Sequence, residues 1–257
     1  AIIVAGDVDA AAVMGKLRTL SYMIMRREPV SRDEYAWHSV PGINVQVQPS
    51  TSTSLSSIRV QWRVPRTPKA QMNTVQPLVV DMYMNELAIL AKKRIVSSLM
   101  RASIPYSSVE CAYLLPQTHL EDNIFSVDVT LAPEDVSKAV SICAGALSSL
   151  EAGRVSVSDQ ESAEYAYYDK RLSSVRTLSN AAYVDKCRSA FLYNESLASA
   201  EAENQFLMTR HIADTTELKI FKSIVSATLT PDANLSLLCS LPQGNESADD
   251  LAAIFAH

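Results

Sequence analysis

Four histidines and four cysteines are the side chains best suited to bind a metal or attack a substrate, and their spacing speaks against both. His38, His119, His211 and His257 stand far apart. No two of them fall one helical turn apart, the arrangement that commonly supplies two of the three protein ligands a catalytic zinc needs. Cys111, Cys143, Cys187 and Cys239 form no C-x-x-C pair, which leaves zinc ligation and a disulfide framework unsupported. Cys143 falls in a helical run and Cys239 in a strand-like one, so both are expected as buried free thiols. The GDVD stretch at Gly6–Asp9 has one glycine, no lysine and two carboxylates that would repel phosphate, so it is not a phosphate loop. Glu164–Arg171 is rich in tyrosine: on a helix Tyr165 and Tyr168 share one face, and Tyr167 and Arg171 another. Packing on neighbouring helices accounts for that pattern, with a peptide-binding or interdomain surface as the alternative.

The element that must position the rest is the stretch from Asn73 to Tyr106. Val75, Val79, Met82, Leu87, Leu90, Ile95 and Leu99 recur at helical spacing and predict one buried stripe on a helix of roughly seven turns. Pro77 fits only near its first turn, the Lys92-Lys93-Arg94 triplet falls late where it suits a solvated helix end, and Pro105 stops the helix before a strand at Tyr106. A helix this long must cross a broad sheet to bury its stripe.

Ala1–Ala5 is an apolar run that suits a buried strand, and Asp9 can cap a helix from Ala10 with Val13, Leu17 and Leu20 inward. The segment from Glu28 to Gly42 reads as a polar connector. Ile43–Gln48 and Ile58–Val64 alternate as half-buried strands, joined by a serine- and threonine-rich hairpin connection. Two more strands are expected at Ser108–Leu115 and Asn123–Leu131, then a helix opened by Pro133, Glu134 and Asp135, with Val136, Val140, Ala144 and Leu147 inward, and ended by Gly153. Ser158 with Glu161 has the capping-box pattern for a helix to about Leu178. Helices follow at about Ala182–Tyr193 and Leu197–Thr209, another starts at Asp214, and Asn234–Leu241 closes the series as a strand.

The 257 residues carry a net charge of −5 with no long basic block, which argues against nucleic-acid binding, and no apolar run approaches the roughly 20 residues of a membrane span. The chain opens directly on an apolar run, and a cut from a longer parent is expected.

In this order of elements, VAGDVDAAAVMGKL resembles the segment at which the second, non-metal domain of pitrilysin/insulinase-type zinc peptidases begins. The long helix running into Ser103-Ile104-Pro105-Tyr106 resembles that family's proline-aromatic approach to the next strand. DTTELKIFKSIVSATLTPDANLSLLCSLP resembles its closing helix and strand, so the likeness spans Ile2 to Pro242.

The resemblance implies an α+β fold: a two-layer α/β sandwich with a mixed, largely antiparallel sheet covered by helices. Residues 1–30 would be its opening unit, 31–242 the remainder of the same domain, and 243–257 a tail or the start of a linker. The family's zinc site is an H-x-x-E-H helix plus a distal glutamate. This sequence has no such motif, so catalytic and metal residues are none, and zinc is expected in a companion metal-binding domain of the parent or a partner subunit.

The implied role is to enclose peptide substrate for that companion, in a periplasmic or secreted setting. The alternative is a stand-alone binding or scaffold protein that kept the fold without the chemistry. Isolated, the fragment would expose apolar or aromatic surface through which a homodimer can form. In many members a companion domain offers an arginine and a tyrosine, with six residues between them, to the bound peptide. The resemblance carries this role to Arg101 and Tyr106, although only four residues intervene here and the position seven before Tyr106 is Leu99. The competing expectation is that Arg101 caps helix carbonyls and Tyr106 packs at a strand start.

Overall fold

A computed structural model describes residues 2–25, 42–49, 54–115, 122–174, 179–209, 214–230, 235–241 and 248–255. All four histidines, nearly all of the connector before Gly42 and most of the loop between the expected strands at 108–115 and 123–131 lie outside them. The elements are α1 (Ala10–Met23), β1 (Ile43–Pro49), β2 (Ser56–Pro65), α2 (Gln76–Arg101), β3 (Tyr106–Leu114), β4 (Asp122–Leu131), α3 (Val136–Glu151), α4 (Val157–Ser174), α5 (Asn180–Tyr193), α6 (Ala200–Thr209), α7 (Thr215–Leu229), β5 (Leu235–Leu241) and α8 (Ala248–Phe255). Among the described residues no helix is long and apolar enough to cross a membrane.

The five strands form one mixed sheet in the order β1-β5-β2-β4-β3, with β1 parallel to β5 and every other pair antiparallel. The expected hairpin between β1 and β2 is corrected by this order, because β5 enters between them. Both strands alternate, and alternation fixes which face of a strand is buried, not which strand lies beside it.

Burial follows the alternation. Ile58, Val60, Trp62 and Val64 of β2, Phe125, Val127 and Val129 of β4, and Leu235, Leu237 and Cys239 of β5 are buried on one face. The other face carries Arg59, Gln61, Asp128 and Glu110, with Arg59 ion-paired to Asp128 and Gln61 donating to Ser126 at 3.4 Å. Helices α2, α3, α7 and α8 pack on the apolar face, so the molecule is a two-layer α+β sandwich.

The 26-residue α2, about 39 Å long, buries Met82, Leu87, Leu90, Ile95 and Leu99 of its predicted stripe, whereas Val75 lies outside the helix and is exposed. It ends in a Schellman motif: the Ile104 N–H reaches the Leu99 carbonyl at 3.0 Å and the Ser103 N–H the Met100 carbonyl at 3.1 Å, with buried Ile104 supplying the apolar contact. Ser103 takes the left-handed position at φ 55°. Gly153 does the same after α3, at φ 68°.

Three expectations are corrected. Residues 2–5 form no strand, and Ile2 is 62% exposed; a run apolar at every position suits a strand covered on both faces, and this sheet is covered on one. Helix α1 is capped by Asp9, whose carboxylate accepts from the Ala11 and Ala12 N–H groups, yet buries none of its residues, and Leu20 is exposed. The capping box of α4 is formed by Ser156 and Asp159, two residues before the expected pair: the Asp159 N–H donates to Ser156 Oγ at 3.1 Å and the Ser156 N–H to the Asp159 carboxylate at 3.2 Å. Within 243–257, α8 packs on β1 and α3 with Leu251 fully buried.

Ser103→Gly removes the penalty on a side chain in the left-handed region, roughly 1–2 kcal/mol, against an unfolded-state entropy cost of roughly 0.4–1 kcal/mol. A net gain of about 0.5–1 kcal/mol is expected in urea unfolding. A lower midpoint would refute this account of the helix end.

Candidate functional site

Arg101 is the last residue of α2 and Tyr106 the first of β3, so the Schellman turn alone sets their separation. The last carbonyls of α2 are satisfied by the backbone N–H groups of Ala102, Ser103 and Ile104. Arg101 is exposed and engages no partner among the described residues; Tyr106 is 36% exposed and its hydroxyl is equally unengaged. The capping role weighed for Arg101 is therefore carried by backbone groups.

The tyrosine-rich helix divides differently from its pattern. Tyr167 is buried and Tyr168 half-buried, their rings 5.8 Å apart, while Tyr165 is exposed although it shares a helix face with Tyr168. Tyr167 donates to the Asp81 carboxylate at 3.2 Å and accepts from Arg171 at 3.2 Å. Arg171 meets Glu203 at 2.6 Å and also donates to Asn204. The Tyr168 hydroxyl donates to the Leu207 carbonyl at 3.0 Å, which ties α4 to α6. On α2, Glu86 is 1% exposed and accepts from Gln160 at 3.5 Å.

This network borders a cavity of about 690 Å³ between the start of α2 and α4–α6, lined by Arg66, Asp81, Arg171, Lys186, Tyr193 and Phe206 among others. Arg66 pairs with Glu195 at 3.1 Å and stands 5.5 Å from the Tyr193 ring centre. Burial pushes the Asp81 carboxyl up, offset in part by the Tyr167 hydroxyl and Arg171. Burial likewise raises the Tyr167 phenol, with the Asp81 charge adding to the shift, so it stays protonated and donates. The arrangement fixes helices and offers a binding hollow.

Sequence reading missed Asp81 and Glu86 as members of this network. The available signal was Glu86 itself, standing between Met82 and Leu90 where the stripe calls for an apolar residue. None of the four cysteines is in a disulfide, and burial raises the thiols of Cys111 and Cys143 to about 12, away from the thiolate form that reacts. Among the described residues no three His, Cys, Asp or Glu side chains are grouped as metal ligands.

No protein-family model matches the sequence, and no curated protein matches it. Solved structures do. The periplasmic protease PqqL from Escherichia coli superposes over 98% of this chain with a TM-score of 0.78 at 11% identity, and a predicted insulinase family protease from Yersinia pestis over 98% with 0.67 at 11%. A peptidase M16 inactive domain from Pseudomonas fluorescens superposes over 94% with 0.61 at 13%. The chain has the fold of insulinase-type (M16) peptidases. It spans 28% of PqqL, 54% of the Yersinia chain and 53% of the Pseudomonas chain, about one half of the shorter neighbours.

The Asp81 carboxyl has its folded pKa above the unfolded value of 3.8. The unfolded state therefore binds fewer protons between the two, and this contribution to stability is complete below the unfolded value and lost as pH rises through the folded one. Asp81→Asn keeps an acceptor for Tyr167 and removes the buried charge. Its stability relative to the parent is expected to improve as pH rises from about 4 to about 7, read by urea unfolding at each pH. A difference that stays flat would refute the buried-charge account.

Proposed function

We propose that this chain is a non-catalytic domain of a zinc peptidase, which helps enclose and position peptide for a metal-binding domain elsewhere in the parent or in a partner subunit. The observation that carries the proposal is the insulinase-type fold over almost the whole chain in a sequence without the H-x-x-E-H motif. Zinc belongs to the companion in this reading, because the ligand pair its chemistry requires is missing from this sequence. A periplasmic or secreted setting goes with it, PqqL being a periplasmic protease.

Two features support the enclosing role. Arg101 and Tyr106 offer a guanidinium and a phenol with no competing partner among the described residues, suited to a peptide carbonyl or carboxylate. The end of α1 presents Tyr22, Met23, Ile24 and Met25 in succession, all exposed and Tyr22 by 90%, a surface a companion domain would cover. In an isolated fragment the same surface would support a homodimer.

In the parent protein, Arg101→Ala and Tyr106→Phe are each expected to lower peptide cleavage roughly ten- to a hundred-fold while bound zinc stays constant. Cleavage unchanged in both variants would remove these residues from the site. The chain alone is expected to show neither zinc after dialysis nor hydrolysis of a quenched peptide; stoichiometric zinc with chelator-sensitive cleavage would overturn the non-catalytic assignment.

A further inference from the structure

The Lys92-Lys93-Arg94 triplet divides in the fold. Lys92 pairs with Glu110 at 3.1 Å, whereas Lys93 and Arg94 face a cleft of about 540 Å³ between α2 and α3. Lys93, Ser97 and Arg101 recur every four residues and so line one face of α2. Arg94 turns inward, donating to Ser149 Oγ at 3.0 Å and to the Arg154 carbonyl, which fixes the backbone that presents Arg154 at the rim. Across the cleft α3 supplies Ile142, Gly145 and Ala146. A side chain added at Gly145 would meet nothing within 4 Å, so the cleft is open above this helix.

We propose that this cleft is a docking groove for an acidic peptide segment, with Lys93, Arg101 and Arg154 taking its carboxylates and the Leu90, Ile142 and Ala146 floor taking an apolar side chain. The balance of charge carries the proposal. In a chain of net charge −5, four cations line this cleft against the single acid Asp159. Burial would raise the Asp159 carboxyl, but hydrogen bonds from Ser156 together with the charges of Arg94, 3.9 Å away, and Lys93 bring it below its ordinary value. No close ion pair engages Lys93, Arg101 or Arg154 among the described residues, and Lys93 acts on Asp159 only through its charge at longer range. All three are exposed along the open cleft, so their charges are available to an incoming ligand.

The spacing sets the kind of segment. Eight residues of helix place Lys93 and Arg101 about 12 Å apart, and an extended peptide covers about 13 Å in four residues. The groove thus suits acids four residues apart with an apolar residue between them. A nucleic acid would demand a longer basic track and would be repelled by the acidic remainder of the chain. This goes beyond the enclosing role, since Tyr106 does not line the cleft and no companion domain is needed.

Fluorescence anisotropy of the whole 257-residue chain tests it, with a labelled nine-residue serine-based peptide carrying Glu at its third and seventh positions and Leu at its fifth. Binding is expected, with no binding of the Lys-for-Glu counterpart. Lys93→Glu with Arg154→Glu should weaken the acidic peptide at least ten-fold, with the fold retained by circular dichroism. Gly145→Leu should weaken it too, by filling the groove from an exposed position. Absence of binding would overturn the proposal, as would affinity unmoved in both variants. An oligothymidylate of equal charge binding as tightly would also overturn it, by making the site a general polyanion patch. Arg101 is common to both proposals, but Lys93 and Arg154 are not, so the enclosing role is tested separately by the Arg101 and Tyr106 variants in the parent and stands if the groove alone fails.

Discussion

The structure depends on the burial of one stripe of α2 against one face of the sheet. Met82, Leu87, Leu90, Ile95 and Leu99 share one buried core with Val109 of β3 and Phe125, Val127 and Val129 of β4, and α2 packs on the sheet chiefly through β3. At roughly 1.5–3 kcal/mol for each large apolar side chain taken from water, this contact far outweighs any single polar interaction in the chain. It also decides where the chain must turn, because α2 has to end where its stripe leaves the sheet. The Schellman turn with buried Ile104 makes that ending sharp enough for Pro105 to lead straight into β3.

A second consequence is polar. The stripe of α2 faces the sheet, and its flank faces α4, where Glu86 is buried and Asp81 half-buried. Buried carboxylates are costly unless hydrogen-bonded, and the flank answers with Tyr167, Gln160 and Arg171. Such a network contributes less to stability than apolar packing of the same volume would, but it admits few alternative registers between the helices. The cavity beside it therefore keeps its shape through fixed helices.

Much of this was legible in the residues. Apolar spacing located α2, alternation located β2 and β4, Pro133 announced the start of α3, and Asp214 capped α7 as its position implies. What escaped has physical causes. The insertion of β5 between β1 and β2 pairs strands nearly two hundred residues apart in sequence, and local alternation carries no information about partners at that range. Ser156/Asp159 and Ser158/Glu161 are overlapping capping patterns of similar quality, and only the fold chooses between them. Arg101 and Tyr106 were found through resemblance; their exposure came from the structure.

The absence of the H-x-x-E-H motif bears on how such a fold can remain useful. A zinc site demands ligands fixed in tetrahedral geometry, and the supports that fix them restrict the sequence of the helix bearing them. Helix α2 carries Asp81 and Glu86 toward α4, and Lys93, Ser97 and Arg101 along its cleft with α3. The core constrains more than the stripe that meets the sheet, because Tyr83, Met84, Ala88 and Ala91 are buried as well and α2 also packs on α3, α4 and α7. What remains for recognition is the exposed row of Lys93, Ser97 and Arg101, which the helix holds in register.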